Sequence, residues 1–326
     1  MEFKQPKVLL KENGEYRKAG FELEFGEVDM ETIATCILDL YGGKQERTNK
    51  FHQVITDTNI GKFTIKFDSR ILTEKTYEPI LKKYGLNGNE ENVENLVESI
   101  ASFVVPYEVD TPPLPFQEIY KADLLRKALH EKKAMGTKSS VLYAYATHIN
   151  PELPALDVDN ILRYTRAFLL LYPWVFSKAK IDLTRRMSVY INPFPDDYLR
   201  LVFQAGYNPS LDIFIEDYHK YNPDRNRPFD LYPVLSFIKP DKINHLQGIG
   251  NVKPRPTFHY RLPNSLIDDP TWSLASEWNC WVAIENLASN PEFMSELCKE
   301  YIHMNDNILI GFKNKWIKRT EEWVEC

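Results

Sequence analysis

The sequence predicts an α+β protein, a mainly antiparallel sheet covered by helices on one side. Three observations carry this. "KAGFELEF" (18–25), "GKFTIKFDSRI" (61–71) and "RPTFHYRLPNS" (255–265) alternate apolar with polar residues, the period of a half-buried strand. Helical periodicities of several lengths lie between such segments. Parallel strands buried on both faces would instead read as continuous Val/Ile/Leu runs, and these do not.

Taken in order, the first strand sends Phe21, Leu23 and Phe25 to one face and Gly20, Glu22, Glu24 and Gly26 to the other. "DMETIATCILDLYGG" follows as a helix, capped by Asp29 and stopped by Gly42 and Gly43. The second strand sets Phe63, Ile65 and Phe67 against Thr64, Lys66 and Asp68. A helix over 92–105 ends at Pro106, and "YEVDTPPLP" starts as a strand before its prolines leave the sheet. "FQEIYKADLLRKALHEKKAM" reads as a helix running to Gly136. "SVLYAYATHIN" (140–150) is again a strand, with His148 and Asn150 on one side. Helices are expected at about 158–174, 197–205 and 210–221. A strand then places Thr257, His259 and Arg261 together, before an aromatic helix containing Trp272, Trp278 and Trp281. Those tryptophans read as core.

The 326 residues, 43% hydrophobic and 26% charged, have globular composition. No repeat or linker stands out, so residues 1–326 are expected to form one unit, with a charged, helix-compatible tail over 305–326. A net charge of −6 argues against nucleic-acid binding. The longest apolar run, "AFLLLYPWVF" (167–176), is too short to span a bilayer, and no secretory leader is evident. No membrane association and a cytoplasmic location are the expectations. Cys36, Cys280, Cys298 and Cys326 lack CxxC spacing and suggest reduced thiols.

Five extended segments thus carry Glu22 and Glu24; Asp68; Glu108; His148 and Asn150; and His259 and Arg261. On one strand face Glu22 and Glu24 would stand about 7 Å apart, twice the strand rise. Either the segments form solvated faces, or their polar sides meet and a divalent cation offsets the carboxylate repulsion. Arg261 would add a planar fork suited to phosphate. Competing motifs are weak: "MGTKSS" (135–140) lacks phosphate-loop spacing, "GIGN" (248–251) is no dinucleotide fingerprint, and neither HExxH nor GxSxG occurs. Arg185 and Arg186 are either a grip for a substrate carboxylate or a solvated pair.

In order along the chain, "GFELEF", "FDSRI", "YEVDTPPL", "ATHIN" and "TFHYRLPNS" with its Trp-rich helix resemble the motifs of the amidoligase family. This family sits in the carboxylate–amine ligase superfamily with glutamine synthetase and glutamate–cysteine ligase. The resemblance spans about 18–290. It implies a curved antiparallel sheet with helices on its convex side and an active site on the concave face, binding ATP and two or more Mg²⁺, with Mn²⁺ as a substitute. By the same resemblance Glu22 and Glu24 would each serve a different cation, and Glu108 would be a further acidic ligand. Asp68 would lie near the amine or metal, His148 would touch ATP phosphate and its metal, and Arg261 would neutralise the γ-phosphate.

His259 stands where the family usually has glutamate, and Asn150 where many relatives carry a second histidine. An imidazole at position 259 would ligate a metal without adding negative charge and would favour softer ions. The expected activity is an ATP- and Mg²⁺-dependent ligase joining a carboxylate to an amine, on small-molecule or peptide substrates, through an acyl-phosphate. The alternatives are a catalytically degenerate relative that binds nucleotide or peptide, or a helix-rich protein that acts through a protein partner.

Overall fold

A computed structural model describes residues 1–49, 51–67, 107–137, 145–179, 191–308 and 310–324. Asp68, Arg185, Arg186, Cys326 and the expected helix at 92–105 lie outside the described residues. Among the described residues nine strands form one open antiparallel sheet: β1 (Lys18–Phe25), β2 (Lys44–Asn49), β3 (His52–Thr56), β4 (Phe63–Phe67), β5 (Tyr107–Asp110), β6 (Leu114–Pro115), β7 (Thr147–Pro151), β8 (Phe229–Asp230) and β9 (His259–Tyr260). Their order is β2-β3-β4-β5-β1-β7-β9-β8, and β6 pairs with the start of β1. Ten helices accompany the sheet among the described residues. They are α1 (Met30–Tyr41), α2 (Tyr120–Glu131), α3 (Val158–Lys178), α4 (Asp196–Phe203), α5 (Leu211–Tyr221), α6 (Tyr232–Ile238), α7 (Pro240–Ile243), α8 (Leu274–Ala288), α9 (Pro291–Asn307) and α10 (Phe312–Glu321). The expected α+β antiparallel architecture is what the chain adopts.

The apolar half of each alternation goes inward. Phe21, Ile149, Tyr260 and Phe229 are successive partners across β1, β7, β9 and β8. They join one core with Leu23, Phe25, Val109, Ile65 and the buried faces of α1, α3 and α8. Trp272, Trp278 and Trp281 belong to that core, as their spacing suggested. Burying a Phe or Leu side chain there stabilises by about 1.5–3 kcal/mol relative to leaving it exposed.

Local chemistry sets the ends of the elements. The Asp29 side chain accepts from Thr32 N at the start of α1. At its end Gly42 and Gly43 have φ of 67° and 107°, and a Cβ on Gly43 would lie 2.4 Å from Thr56 O. Glycine is required there on both counts.

Several elements differ from the sequence reading; Leu114–Pro115, where the prolines were expected to leave the sheet, still pairs with the start of β1. α2 stops at Glu131 rather than running to Gly136, because Lys133 turns the chain with φ of 65°. The strand expected over 255–265 shrinks to His259–Tyr260, flanked by single bridges Glu152–Thr257 and Ala146–Asn264. α3 passes through Pro173 to Lys178. Pro173 lacks the N–H that would bond Leu169 O; at the next residue, Leu170 O accepts from the Trp316 indole of α10 at 2.7 Å.

A buried ion pair ties the sheet to the helices. Arg17, just before β1, donates to both oxygens of Glu285 on α8 at 2.7 and 2.8 Å, and also to the carbonyls of Val8 and Glu152. Tyr164 of α3 donates to the same carboxylate.

Candidate active site

Strand register brings the polar side chains together. Thr64, Asp110, Glu22 and His148 are successive partners across β4, β5, β1 and β7, while Lys66, Glu108 and Glu24 form the neighbouring row. Ile149 opposite Tyr260 sets Asn150 beside His259 and His148 beside Arg261, and His259 faces Asp230. Directly opposed side chains start from Cβ atoms only about 5 Å apart, so these groups meet on the face away from the apolar row.

The face is not solvated. Glu22, Glu24, Glu108, His148, His259 and Arg261 are between 2% and 8% exposed. Glu22 lies at the centre. Its Oε1 accepts from Asn150 Nδ2 at 2.9 Å and Arg255 Nη1 at 2.7 Å, while Oε2 lies 2.8 Å from His148 Nδ1 and 3.7 Å from His259 Nε2. Glu24 accepts from Ala146 N at 2.8 Å and stands 3.8 Å from His148 Nε2. On the other flank Lys66 Nζ bridges Glu108 at 2.9 Å and Asp110 at 2.8 Å. Behind His259, Asp230 Oδ2 lies 3.4 Å from Nδ1 and is held by Arg225 Nε at 2.9 Å. Arg261 donates to Arg225 O at 2.6 Å.

The environment splits the titratable groups. Burial alone would raise the Glu22 carboxyl, but the imidazoles of His148 and His259 and the charge of Arg255 outweigh it and hold Glu22 well below the usual range. Glu108 moves the opposite way: burial first, then the charge of Glu22, push it well up against the pull of Lys66. Burial pushes His148 down to about 3, so its imidazole is neutral. Asp230 is held at about 2: His259 and Arg225 overcome the penalty of its burial. The crowding is met here by Lys66, by Arg255 and by the upward shift of Glu108, and a bound cation would relieve it further.

A divalent cation fits the donor set. Glu22, His148 and His259 offer ligand atoms within 4.8 Å of one another, and so do Glu22, Glu108 and Asp110. His259 Nε2 and Asn150 Oδ1 are buried without a hydrogen-bond partner. A bound ion, or groups it carries, would satisfy such atoms.

The face therefore gathers Glu22, Glu24, Glu108, His148, Asn150, His259 and Arg261, while Asp68, Arg185 and Arg186 lie outside the described residues. Sequence reasoning missed Asp230, Arg225 and Arg255. All three sit in 222–256, where no periodicity marks a strand, and β8 is only two residues long. Asp110 and Lys66 were visible as strand residues but were not assigned to the site.

Fold and site define an α+β protein with a buried centre of acids and imidazoles on one face of an open sheet. Residues 15–283 match the family described as putative amidoligase enzyme, and the chain belongs to that family, whose name denotes an amide-bond ligase. No curated protein and no solved structure matches the chain. Among the described residues no helix is long and apolar enough to cross a membrane.

Proposed function

We propose that the protein is an ATP- and Mg²⁺-dependent carboxylate–amine ligase, working through an acyl-phosphate. The observation that carries this is the buried convergence of Glu22, Glu24 and Glu108 on one sheet face of an amidoligase-family chain. In this reading Glu22, Glu108 and Asp110, with Glu24 in the neighbouring row, form the oxygen-rich end that suits Mg²⁺, which prefers carboxylate and phosphate oxygens and supplies charge neutralisation when bound. Arg261 neutralises the transferring phosphoryl group and His148 orients the phosphates, while Asp68 serves the amine or the metal. The acid's carboxylate oxygen attacks the γ-phosphorus as ADP leaves; the amine then attacks the acyl carbon, phosphate leaves, and the amine's surplus proton passes to solvent. Burial keeps water from the activated acyl group.

The activity is assigned to one catalytic unit spanning residues 1–326, in the cytoplasm. It would act on small-molecule or peptide acids and amines, without nucleic acid or membrane. ADP release with ATP, Mg²⁺ and panels of acids and amines tests it, comparing wild type with Glu24→Ala. Turnover that needs both a carboxylate and an amine, and is lost in the variant, supports the reading. No carboxylate-dependent turnover across a broad panel counts against it.

Arg255 favours a second reading. A protein cation already sits on Glu22 at 2.7 Å, as expected of a relative that binds nucleotide or a peptide end without catalysis. Calorimetric ATP binding that ignores Mg²⁺, without hydrolysis, would select it.

A further inference from the structure

We infer that Glu22 Oε2, His148 Nδ1 and His259 Nε2 form a centre for a divalent transition-metal ion, distinct in preference from the carboxylate end of the same face. The inference rests on the reading of this face as a cation site, but not on the ligase reaction.

The three atoms converge: His148 Nδ1 lies 2.8 Å and His259 Nε2 3.7 Å from Glu22 Oε2, and the two rings meet edge to face at 5.0 Å between centroids. His259 Nε2 is buried and accepts no hydrogen bond. A nitrogen left with an unused lone pair in a dry site is costly unless a ligand takes it.

The outer contacts match what a metal's ligands ordinarily have behind them. A ligating imidazole turns its other nitrogen to a carboxylate or carbonyl, which fixes its tautomer, and a ligating carboxylate is itself hydrogen-bonded. His259 turns Nδ1 to Asp230 at 3.4 Å, and Asp230 is anchored by Arg225 and by Tyr232 N. His148 turns Nε2 to Glu24, 3.8 Å away. Asn150 and Arg255 hold Glu22 Oε1, leaving Oε2 as a one-oxygen ligand. Without an ion, His148 Nδ1–H donates to Glu22 Oε2 at 2.8 Å; an ion bound there would take the Nδ1 lone pair and leave the His148 proton on Nε2, the side that faces Glu24.

Two imidazoles and one carboxylate suit Zn²⁺, Co²⁺ or Fe²⁺ better than Mg²⁺, which holds to oxygen ligands. Asp230 is then a positioning residue for His259.

Full-length protein stripped with chelator and titrated with Co²⁺ tests this, read by calorimetry and by visible absorption. Co²⁺ is expected to bind at least 100-fold more tightly than Mg²⁺, with absorption typical of nitrogen ligation and displacement by Zn²⁺. His259→Gln, which keeps the volume, should weaken Co²⁺ at least 100-fold, and Asp230→Asn about 10- to 100-fold. Both variants should retain the wild-type circular dichroism. His259→Glu should narrow the gap between Co²⁺ and Mg²⁺. Equal Co²⁺ and Mg²⁺ affinities, or a folded His259→Gln that binds Co²⁺ like wild type, overturn the inference. Should Asp230 prove decisive and His259 dispensable, the inference is likewise lost. ADP release with Mg²⁺ is assayed separately, so failure of the ligase reading and failure of this centre are distinguishable.

Discussion

Glu22 and His148 face each other across β1 and β7, with Oε2 and Nδ1 2.8 Å apart. Each is held by groups from other strands and loops, so this pair is the point through which both flanks of the site are joined.

The burial of His148, which outweighs the opposing pull of Glu22, gives the protein an acid-sensitive step. In the folded chain His148 is held down to about 3, from the ordinary histidine value of about 6.5. Across that window the unfolded chain binds a proton that the folded chain does not, so stability rises with pH and is lost as pH falls below about 6.5. Urea denaturation in chelator between pH 5 and 7 should show the slope. His148→Gln should flatten it by up to one proton, about 1.4 kcal/mol per pH unit. An unchanged slope would remove His148 from this role.

Lys66 stands between Glu108 and Asp110 as a built-in counter-ion. Lys66→Gln should lower stability in chelator by about 2–4 kcal/mol, since carboxylates remain crowded and unpaired. Added Mg²⁺ should recover more of the melting temperature in the variant than in wild type. Equal recovery would show that the lysine and the ion do not share one charge balance.

Much of this site was legible, and the reason is periodicity. The alternation of β1 set Glu22 and Glu24 on one face, and "THIN" and "FHYR" did the same for the histidines and Arg261. Register is a different kind of information, because a shift by one residue would send every side chain to the other face. That Glu22 meets Asp110 and His148 in one row follows from pairing between distant segments. The β2–β3 hairpin and two-residue β8 went unread: β2 is exposed along its whole length and β8 is too short to show a period. Asp230, Arg225 and Arg255 were hidden for the same reason.

The link between Arg17 and Glu285 is a structural matter rather than a catalytic one. Both side chains are at most 1% exposed. Glu285→Ala would leave a guanidinium buried without its partner and is expected to cost about 3–5 kcal/mol. Chemical denaturation measures it, and a loss under 1 kcal/mol would contradict the burial argument.

Phe21 lies on the apolar side of the strand that carries Glu22. Phe21→Ala should cost about 3–5 kcal/mol by opening a cavity under the site. Because the same backbone sets the carboxylate positions, Co²⁺ affinity should fall along with stability, which a titration of the folded variant would show.

The Trp316 indole reaches Leu170 O in α3, three residues before Pro173. The family match stops at residue 283, in the middle of α8, whereas Trp316 is wholly enclosed 33 positions later. A truncation drawn at the family boundary would saw through one helix and pull the plug from another, baring tryptophans that belong inside. For anyone preparing shortened versions of this chain, the last helix is part of the vessel and not its handle.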